Sequence, residues 1–353
     1  MNIADFYYHL PPERIAQTPL EPRDSSRLLV VHRDTGELED RVFRDIGSYL
    51  RPGDLLVANQ SRVLPARLQG VKAGSGGRVE VLLLAVRGDL GLNCWEALVR
   101  PGRRVHEGGS IIFGEGVLAA EVLARTPSGG RLLRLEAEGD DVPGAIERLG
   151  SVPLPPYIHQ PLIDSERYQT VYARQPGSAA APTAGLHFTR ELLAELEEQG
   201  IGQAFVTLHI GLDTFRPIGE DDITDHTMHS EEIEVDSETA ARINATRAAS
   251  GRIVAVGTTA VRTLESVAAR VATDREAGAG VVESYRGRTS LFLRPGSTFR
   301  AVDIMLTNFH LPRSTLIVLV SAFAGRELIL RAYEHAIAQG YRFYSFGDAM
   351  LII

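Results

Sequence analysis

The chain has 353 residues, 44% of them hydrophobic and 23% charged, with a formal net charge of −8 and a single cysteine, Cys94. These values are those expected of a soluble globular protein with room for two or three domains. They exclude an intrachain disulfide, a multi-cysteine metal cage and a general nucleic-acid coat held by overall charge.

No apolar run reaches eighteen residues, so no membrane span is expected. The first residues, MNIADFYYHLPPERIAQ, lack a basic stretch followed by an apolar one, so no secretory signal is expected and the cytoplasm is the default location. LLVVHR (28–33) reads as a strand and DRVFRDIGSYL (40–50) as a helix. From about Leu55 to Glu138, short β-type runs alternate with turn signals: LLVANQS, VEVLLLAV after GSGG, CWEALV before RPGRR, VLAAEVLA, and RLLRLEAE after PSGG. No helix-length pattern interrupts them, which predicts an antiparallel barrel or sandwich. A short helix over Val142–Leu149 and the stiff SVPLPPYI segment close this region. Cations concentrate there: from Arg62 to Arg104, eight Arg or Lys stand against three carboxylates, and Lys72 is the one lysine of the chain. Codon bias in a GC-rich genome is the simpler account of the arginine preference.

After Tyr157 strands alternate with helices. Thr189 opens a helix that stops at Gly200, QAFVTLHIG follows as a strand, and Ser237 to about Ser250 is a helix. IVAVG is a buried strand running into the helix TTAVRTLESVAARV, with Thr258 or Thr259 as its N-cap. VDIMLTNF is a strand that leads through HLPR into STLIVLVSAFAG. RELILRAYEHAIAQ is a helix, and YRFYSFG a final strand. The pattern predicts an α/β fold, a mixed and largely parallel sheet layered with helices, interrupted by an inserted antiparallel β-barrel. The predicted boundaries are 1–60 and 156–353 for the discontinuous α/β catalytic domain and 61–155 for the barrel.

The stretch DHTMHSEEIE (225–234) crowds His226, His229 and Glu231 into six positions. The helical zinc signature, two histidines four apart with glutamate after the first, is absent. Read as a strand, the segment places His229, Glu231, Ile233 and Val235 on one face. Two titratable groups then begin an apolar face, with His226 in the loop before it. A solvated strand start with fortuitous histidines is an equally good reading of this segment alone.

In an open α/β sheet, ligands bind past the carboxyl ends of the strands. His209, the Thr258–Thr259 helix start, Asn308, His310, His187 and Asp348 all map to such places. Each has a plainer reading: a satisfied structural histidine, a helix cap, a turn residue beside Gly347, or, for Arg262, a surface arginine covering apolar area. The coincidence of five histidines (187, 209, 226, 229 and 310) at the edges of one inferred layer favours a site.

The chain resembles the S-adenosylmethionine:tRNA ribosyltransferase-isomerases of queuosine biosynthesis over essentially its full length. The residues carrying the resemblance are RIAQTPLEPRDSSRLLV (14–30), RPGDLLVANQSRVLPARLQG (51–70), PPYI (155–158), RYQTVYA (167–173) and AAPTAGLHFT (180–189). They continue with VTLHIG (206–211), DHTMHSE (225–231), AVGTTAVRTLES (255–266), TNFHLPRSTLIVLVSAFAG (307–325) and YRFYSFGDAMLI (341–352). Two positions depart from the family pattern: Asp213 stands where a glycine is usual, and Ser297 where an aromatic is usual.

The resemblance implies the same fold and a transfer, with rearrangement, of the ribosyl group of S-adenosylmethionine onto 7-aminomethyl-7-deazaguanine at the tRNA wobble position. The products are epoxyqueuosine-tRNA, adenine and methionine. It implies no metal and no cofactor, S-adenosylmethionine being consumed as a substrate, and as partner a tRNA with a GUN anticodon (Tyr, His, Asn, Asp). A monomer is expected. Proton transfers near neutral pH suit histidine, so His187, His209, His226, His229, Glu231 and His310 are the catalytic candidates. Thr183, Gly185, Thr258, Thr259, Arg262, Asn308 and Asp348 are the substrate-binding candidates. Arg100, Arg103 and Arg104 are the candidates for tRNA phosphates. Two rivals remain at this point: a metal-dependent hydrolase using His226, His229 and Glu231, with His187 as a further ligand, and a non-catalytic RNA-binding module.

Overall fold

The computed structural model describes residues 1–126, 129–211, 219–274 and 280–353. Asp213 therefore lies outside the described residues. The chain begins with β1 (Arg27–Val31), β2 (Leu38–Val42) and β3 (Leu55–Asn59). Six strands follow: β4 (Arg67–Lys72), β5 (Arg78–Val86), β6 (Cys94–Arg100), β7 (Ser110–Phe113), β8 (Leu118–Arg125) and β9 (Arg131–Ala137). Then come α1 (Val142–Leu149), α2 (Arg190–Glu198), β10 (Gly202–Leu208), β11 (Glu231–Val235), α3 (Ser237–Ala248), β12 (Ile253–Val256) and α4 (Thr258–Thr273). The last elements are β13 (Tyr285–Thr289), β14 (Ile304–Asn308), α5 (Thr315–Ala324), α6 (Arg326–Ala338) and β15 (Ala349–Ile352).

Two compact units result, one of Met1–Ser61, Pro155–Gln175 and Ala181–Ile353, the other of Arg62–Leu154 and Pro176–Ala180. Among the described residues the first holds a nine-stranded sheet in the order β13-β11-β10-β3-β12-β14-β15-β1-β2. The neighbours β10/β3, β3/β12, β12/β14 and β15/β1 are parallel and the other pairs antiparallel, so the sheet is mixed. In the central strands alternate residues pack into one core: Leu28, Val30, Leu56, Ala58, Val254, Val256, Ile304 and Leu306 meet Phe43, Phe188, Leu192 and Leu196. Leu29, Val31, Val57, Ala255 and Met305, which point the opposite way, are buried as well. Coverage of both faces explains why these strands read as continuous apolar runs.

The second unit closes β9-β6-β5-β4-β7-β8 into an antiparallel barrel. Its interior is filled by Leu68, Val81, Ala97, Ile111, Phe113, Leu118 and Leu133, with Val142, Ala145 and Ile146 of α1 packed against them. The expected α/β layer and the expected barrel are both present.

Three local readings are corrected. DRVFRDIGSYL is not one helix: Leu38–Val42 pairs with β1 as a strand, and only Phe43–Tyr49 winds, as a 3₁₀ turn. The helix after IVAVG has Gly257 as its N-cap, with φ +88°, and neither threonine caps it through its side chain. YRFYSFG is not a strand either. Its alternating aromatics serve packing: Tyr341 and Phe343 ring the buried Phe309, with Tyr333 alongside. Tyr344 turns the chain at φ +71°, and the strand comes after it, as Ala349–Ile352.

Asp348 holds this turn. One carboxylate oxygen accepts the Arg27 amide at 2.9 Å and the other the Arg342 amide at 2.8 Å, and the residue is buried. Asp348→Ala leaves two amides without acceptors, at about 1–3 kcal/mol each. We expect a loss on the order of 2–4 kcal/mol in urea unfolding; an unchanged midpoint would refute this role.

Candidate functional site

Strand pairing decides which residues share an edge. The parallel pairs bring the carboxyl ends of β10, β3, β12 and β14 side by side. The antiparallel neighbours add their starts: Asn308 pairs with Ala349, and the amide of His209 donates to the carbonyl of Glu232. Leu28 pairs with Ala349, so Ser26 also reaches this edge. Ser26, Asn59, His209, Glu231, Thr258, Asn308 and Asp348 thus lie along one side of the sheet, although the chain supplies them from positions 26 to 348. Asn59, which sequence reasoning missed, ties two strand ends together: its side chain donates to the Leu208 carbonyl at 3.0 Å and accepts the Leu208 and Ser61 amides at 3.1 Å each.

Glu231 is the charged centre of this edge. It opens β11, and Glu231, Ile233 and Val235 are the buried residues of that strand, the face that the alternation predicts. Glu231 is 3% exposed and Arg262 4%. A lone buried carboxylate would be prohibitively costly. Here Arg262 Nη1 donates to Oε2, His229 Nε2 lies 3.1 Å from Oε1, and the Gly211 amide donates to Oε1 at 3.1 Å. Burial pushes the Glu231 pKa up, but His229, Arg262 and the Gly211 amide together hold it down at about 2. Arg262 sits one turn into α4, and its Nε donates to the Leu291 carbonyl at 3.3 Å. Thr258 and Thr259 begin that helix, whose first turn presents the partial positive end of the helix dipole.

His187 forms a second, uncharged assembly. It ends the 3₁₀ turn Thr183–His187, is 5% exposed, and stacks on Phe43 with ring centroids 4.9 Å apart. Asn308 Nδ2 reaches His187 Nε2 at 3.2 Å and the Tyr344 carbonyl at 3.0 Å. An amide NH₂ only donates, so Nε2 accepts, the ring proton sits on Nδ1, and Nδ1–H donates to Ser26 Oγ at 2.7 Å. Burial dominates and lowers the pKa to about 4, against the Asn308 hydrogen bond. His187 is a neutral imidazole with both nitrogens engaged. Ser26 is the partner that sequence reasoning missed, since nothing in DSSR marks one serine above the other.

The remaining candidates divide. Gly185 is closed in by its neighbours, because a Cβ there would stand 2.0 Å from the Tyr172 hydroxyl. Thr183 opens the same turn, and Ala184 packs over Gly257 at the start of α4, 3.6 Å from where a Cβ would lie. His310 turns inward: its ring bonds Thr307 Oγ1 at 2.7 Å, and burial alone lowers its pKa to about 3. His209 is half-buried, its pKa lowered chiefly by burial, and its Nδ1 has no protein partner among the described residues. His226 pairs with Glu220 at 2.9 Å and meets Phe292 edge-on. Among the described residues no three His, Cys, Asp or Glu side chains gather so as to hold a metal ion. Arg100, Arg103 and Arg104 are exposed on the barrel unit, at the end of β6 and in the turn Gly102–Arg104. Ser297 closes a turn, its hydroxyl accepting the Arg294 amide at 3.0 Å.

Comparison with known proteins shows what the whole chain is similar to. The profile of a family described as queuosine biosynthesis protein matches residues 3–352. The chain is 56% identical to the S-adenosylmethionine:tRNA ribosyltransferase-isomerase of Moorella thermoacetica, with 100% of both chains covered. It is 55% identical, again over 100% of both, to the protein of the same name from Symbiobacterium thermophilum. Among solved structures, the crystal structure of S-adenosylmethionine tRNA ribosyltransferase from Thermotoga maritima is similar at 40% identity and a TM-score of 0.55, covering 99% of this chain and 100% of that one.

The neutral His187 has a consequence for stability. Below the free histidine value of 6.5 the unfolded chain takes up a proton that the folded His187 refuses until about pH 4. Its contribution is therefore complete above pH 6.5 and lost as pH falls toward 4. We expect the stability gap between wild type and His187→Gln, measured by urea unfolding, to narrow by on the order of 2–3 kcal/mol between pH 7 and pH 4.5. A gap independent of pH would contradict the buried neutral state.

Proposed function

The chain belongs to the queuosine biosynthesis protein family, and on that footing we propose that it is an S-adenosylmethionine:tRNA ribosyltransferase-isomerase acting in the cytoplasm as a monomer. It transfers and rearranges the ribosyl group of S-adenosylmethionine onto 7-aminomethyl-7-deazaguanine at the wobble position of tRNAs with GUN anticodons. Epoxyqueuosine-tRNA, adenine and methionine are the products, and S-adenosylmethionine is a substrate rather than a cofactor. The observation that carries the reading is the buried Glu231–Arg262–His229 group beside the start of α4.

The chemistry asks for several proton transfers. The sulfonium acidifies the C5′ protons, adenine leaves with a proton on its ring, and the primary amine of the substrate base sheds one as it attacks. His229 fits the base at C5′: it is half-buried, and Glu231, 3.1 Å from its Nε2, orients it. A carboxylate kept ionised down to about pH 2 performs this task across the working range. His187, neutral and hydrogen-bonded on both sides, accepts a proton only after Asn308 releases Nε2, so it suits a later step or the positioning of the edge. The Thr258–Thr259 helix start receives substrate carboxylate. The exposed Arg100, Arg103 and Arg104 of the barrel hold tRNA phosphates, which fix register without reading bases.

The deciding measurement is release of free adenine from S-adenosylmethionine in the presence of substrate tRNA, with and without a chelator. We expect release in both conditions. Loss of activity in chelator would favour the metal-hydrolase rival, and tRNA binding without any adenine the RNA-binding rival. His229→Ala is expected to cut adenine release by at least about 100-fold with the circular dichroism spectrum unchanged; near-normal turnover removes it as the base. For the barrel, Arg100→Ala, Arg103→Ala and Arg104→Ala should each reduce the slope of log K against log salt for tRNA binding by about 1. Unchanged slopes would take these arginines out of the interface.

A further inference from the structure

Two hydroxyls that the proposed chemistry leaves unused are buried next to the Glu231 group. Ser266 lies one turn along α4 from Arg262, and Thr289 ends β13 directly opposite Glu231 in the pairing with β11. They are 8% and 6% exposed. A hydroxyl in such a place is costly unless it is hydrogen-bonded, and a valine would fill the space of Thr289 without that cost.

A helical serine commonly returns its hydroxyl to the carbonyl four residues back, and Ser266 does so, donating to Arg262 at 2.6 Å. Its one proton is spent there, so in the 2.6 Å contact between the two hydroxyls Thr289 donates and Ser266 accepts. Thr289 Oγ1 in turn accepts the Leu291 amide at 3.1 Å. The Leu291 carbonyl accepts Arg262 Nε at 3.3 Å. The chain of bonds thus starts at the Arg262 backbone and returns to the Arg262 side chain.

This closure bears on the buried ion pair. An arginine side chain has many rotamers, and a buried pair is favourable only when its geometry is fixed. Through Nη1 alone the guanidinium would pivot about one contact with Glu231; the second contact, through Nε, sets its plane. The carbonyl that makes this second contact belongs to the residue whose amide Thr289 holds, and Thr289 is in register with Glu231. Cation and anion are therefore placed from one cross-strand pair. Glu231 presents its other oxygen to His229 at 3.1 Å, which passes that placement on to the imidazole.

We propose that Thr289, acting with Ser266, is a positioning residue of the Glu231–Arg262–His229 group: it touches no reacting atom but fixes Arg262, so that Glu231 holds His229 in one orientation. The proposal rests on the ribosyl-transfer reading and deepens it at the same site.

The test is a double-mutant cycle on the full chain. Thr289→Val keeps the shape and removes the hydroxyl. It should lower kcat for adenine release about tenfold while the S-adenosylmethionine KM stays within about twofold, and Thr289→Ser should recover kcat to within about twofold of wild type. On a Glu231→Gln background, where no ion pair remains to be aligned, Thr289→Val should cost less than about twofold more. Thr289→Ser as slow as Thr289→Val, or the full loss repeated on Glu231→Gln, overturns the proposal. The cycle is read a second time on urea midpoints, which need no turnover. There the shift caused by Thr289→Val should shrink on the Glu231→Gln background, and equal shifts overturn the link to the ion pair. If Thr289→Val does not fold, Ser266→Ala takes its place in both cycles with the same expected outcomes. A wild type that releases no adenine sinks the ribosyl-transfer reading, and the midpoint cycle then decides the positioning role by itself.

Discussion

A carboxylate removed from water costs several kcal/mol unless its surroundings replace the lost hydration. Glu231 meets that condition with a guanidinium, an imidazole and a backbone amide, and each replacement comes from a different element. Arg262 is carried by α4, His229 by the residues before β11, and Gly211 by the segment after β10. The group exists only when β10, β11 and α4 are all seated. It therefore couples the integrity of the sheet edge to the ionisation of one side chain.

The two histidine assemblies have different surroundings. His229 is half-buried, with its Nε2 3.1 Å from a carboxylate oxygen of Glu231. His187 is enclosed by Phe43, Ser26 and Asn308, which favours the neutral form with its proton on Nδ1. One imidazole beside a carboxylate and one enclosed among uncharged partners thus lie along the same edge, with no metal-holding cluster of ligands among the described residues. This division of labour depends on burial and hydrogen-bond partner rather than residue type, since both are histidines.

Much of the fold was legible in the sequence because its signals are local. Val142–Leu149 and the helix opened by Thr189 were read at their observed positions, and the barrel strands followed from Gly-rich turns separating short apolar runs. The alternation of Glu231, Ile233 and Val235 gave the buried face of β11. The failures arose where tertiary packing overrode a local pattern. Tyr341 and Phe343 alternate as in a strand, yet an aromatic cluster claims them and a turn at Tyr344 follows. Ser26 and Asn59 went unnoticed because a single serine or asparagine carries no periodic signal; only strand register brings Ser26 to His187 and Asn59 to Leu208.

The place of β15 in the sheet has a kinetic meaning. Four residues, Ala349–Ile352, lie between β14 and β1, and through them the β1–β2 hairpin joins the rest of the layer. The contact between Leu28 and Ala349 spans most of the polypeptide, and contacts that close such long loops form slowly. The hairpin can be stitched into the sheet only after Ala349–Ile352, the last strand in chain order, has been made. The Ser26–His187 and Asn308–His187 bonds straddle that seam, so the proton stays on Nδ1 only while β15 holds β1 beside β14.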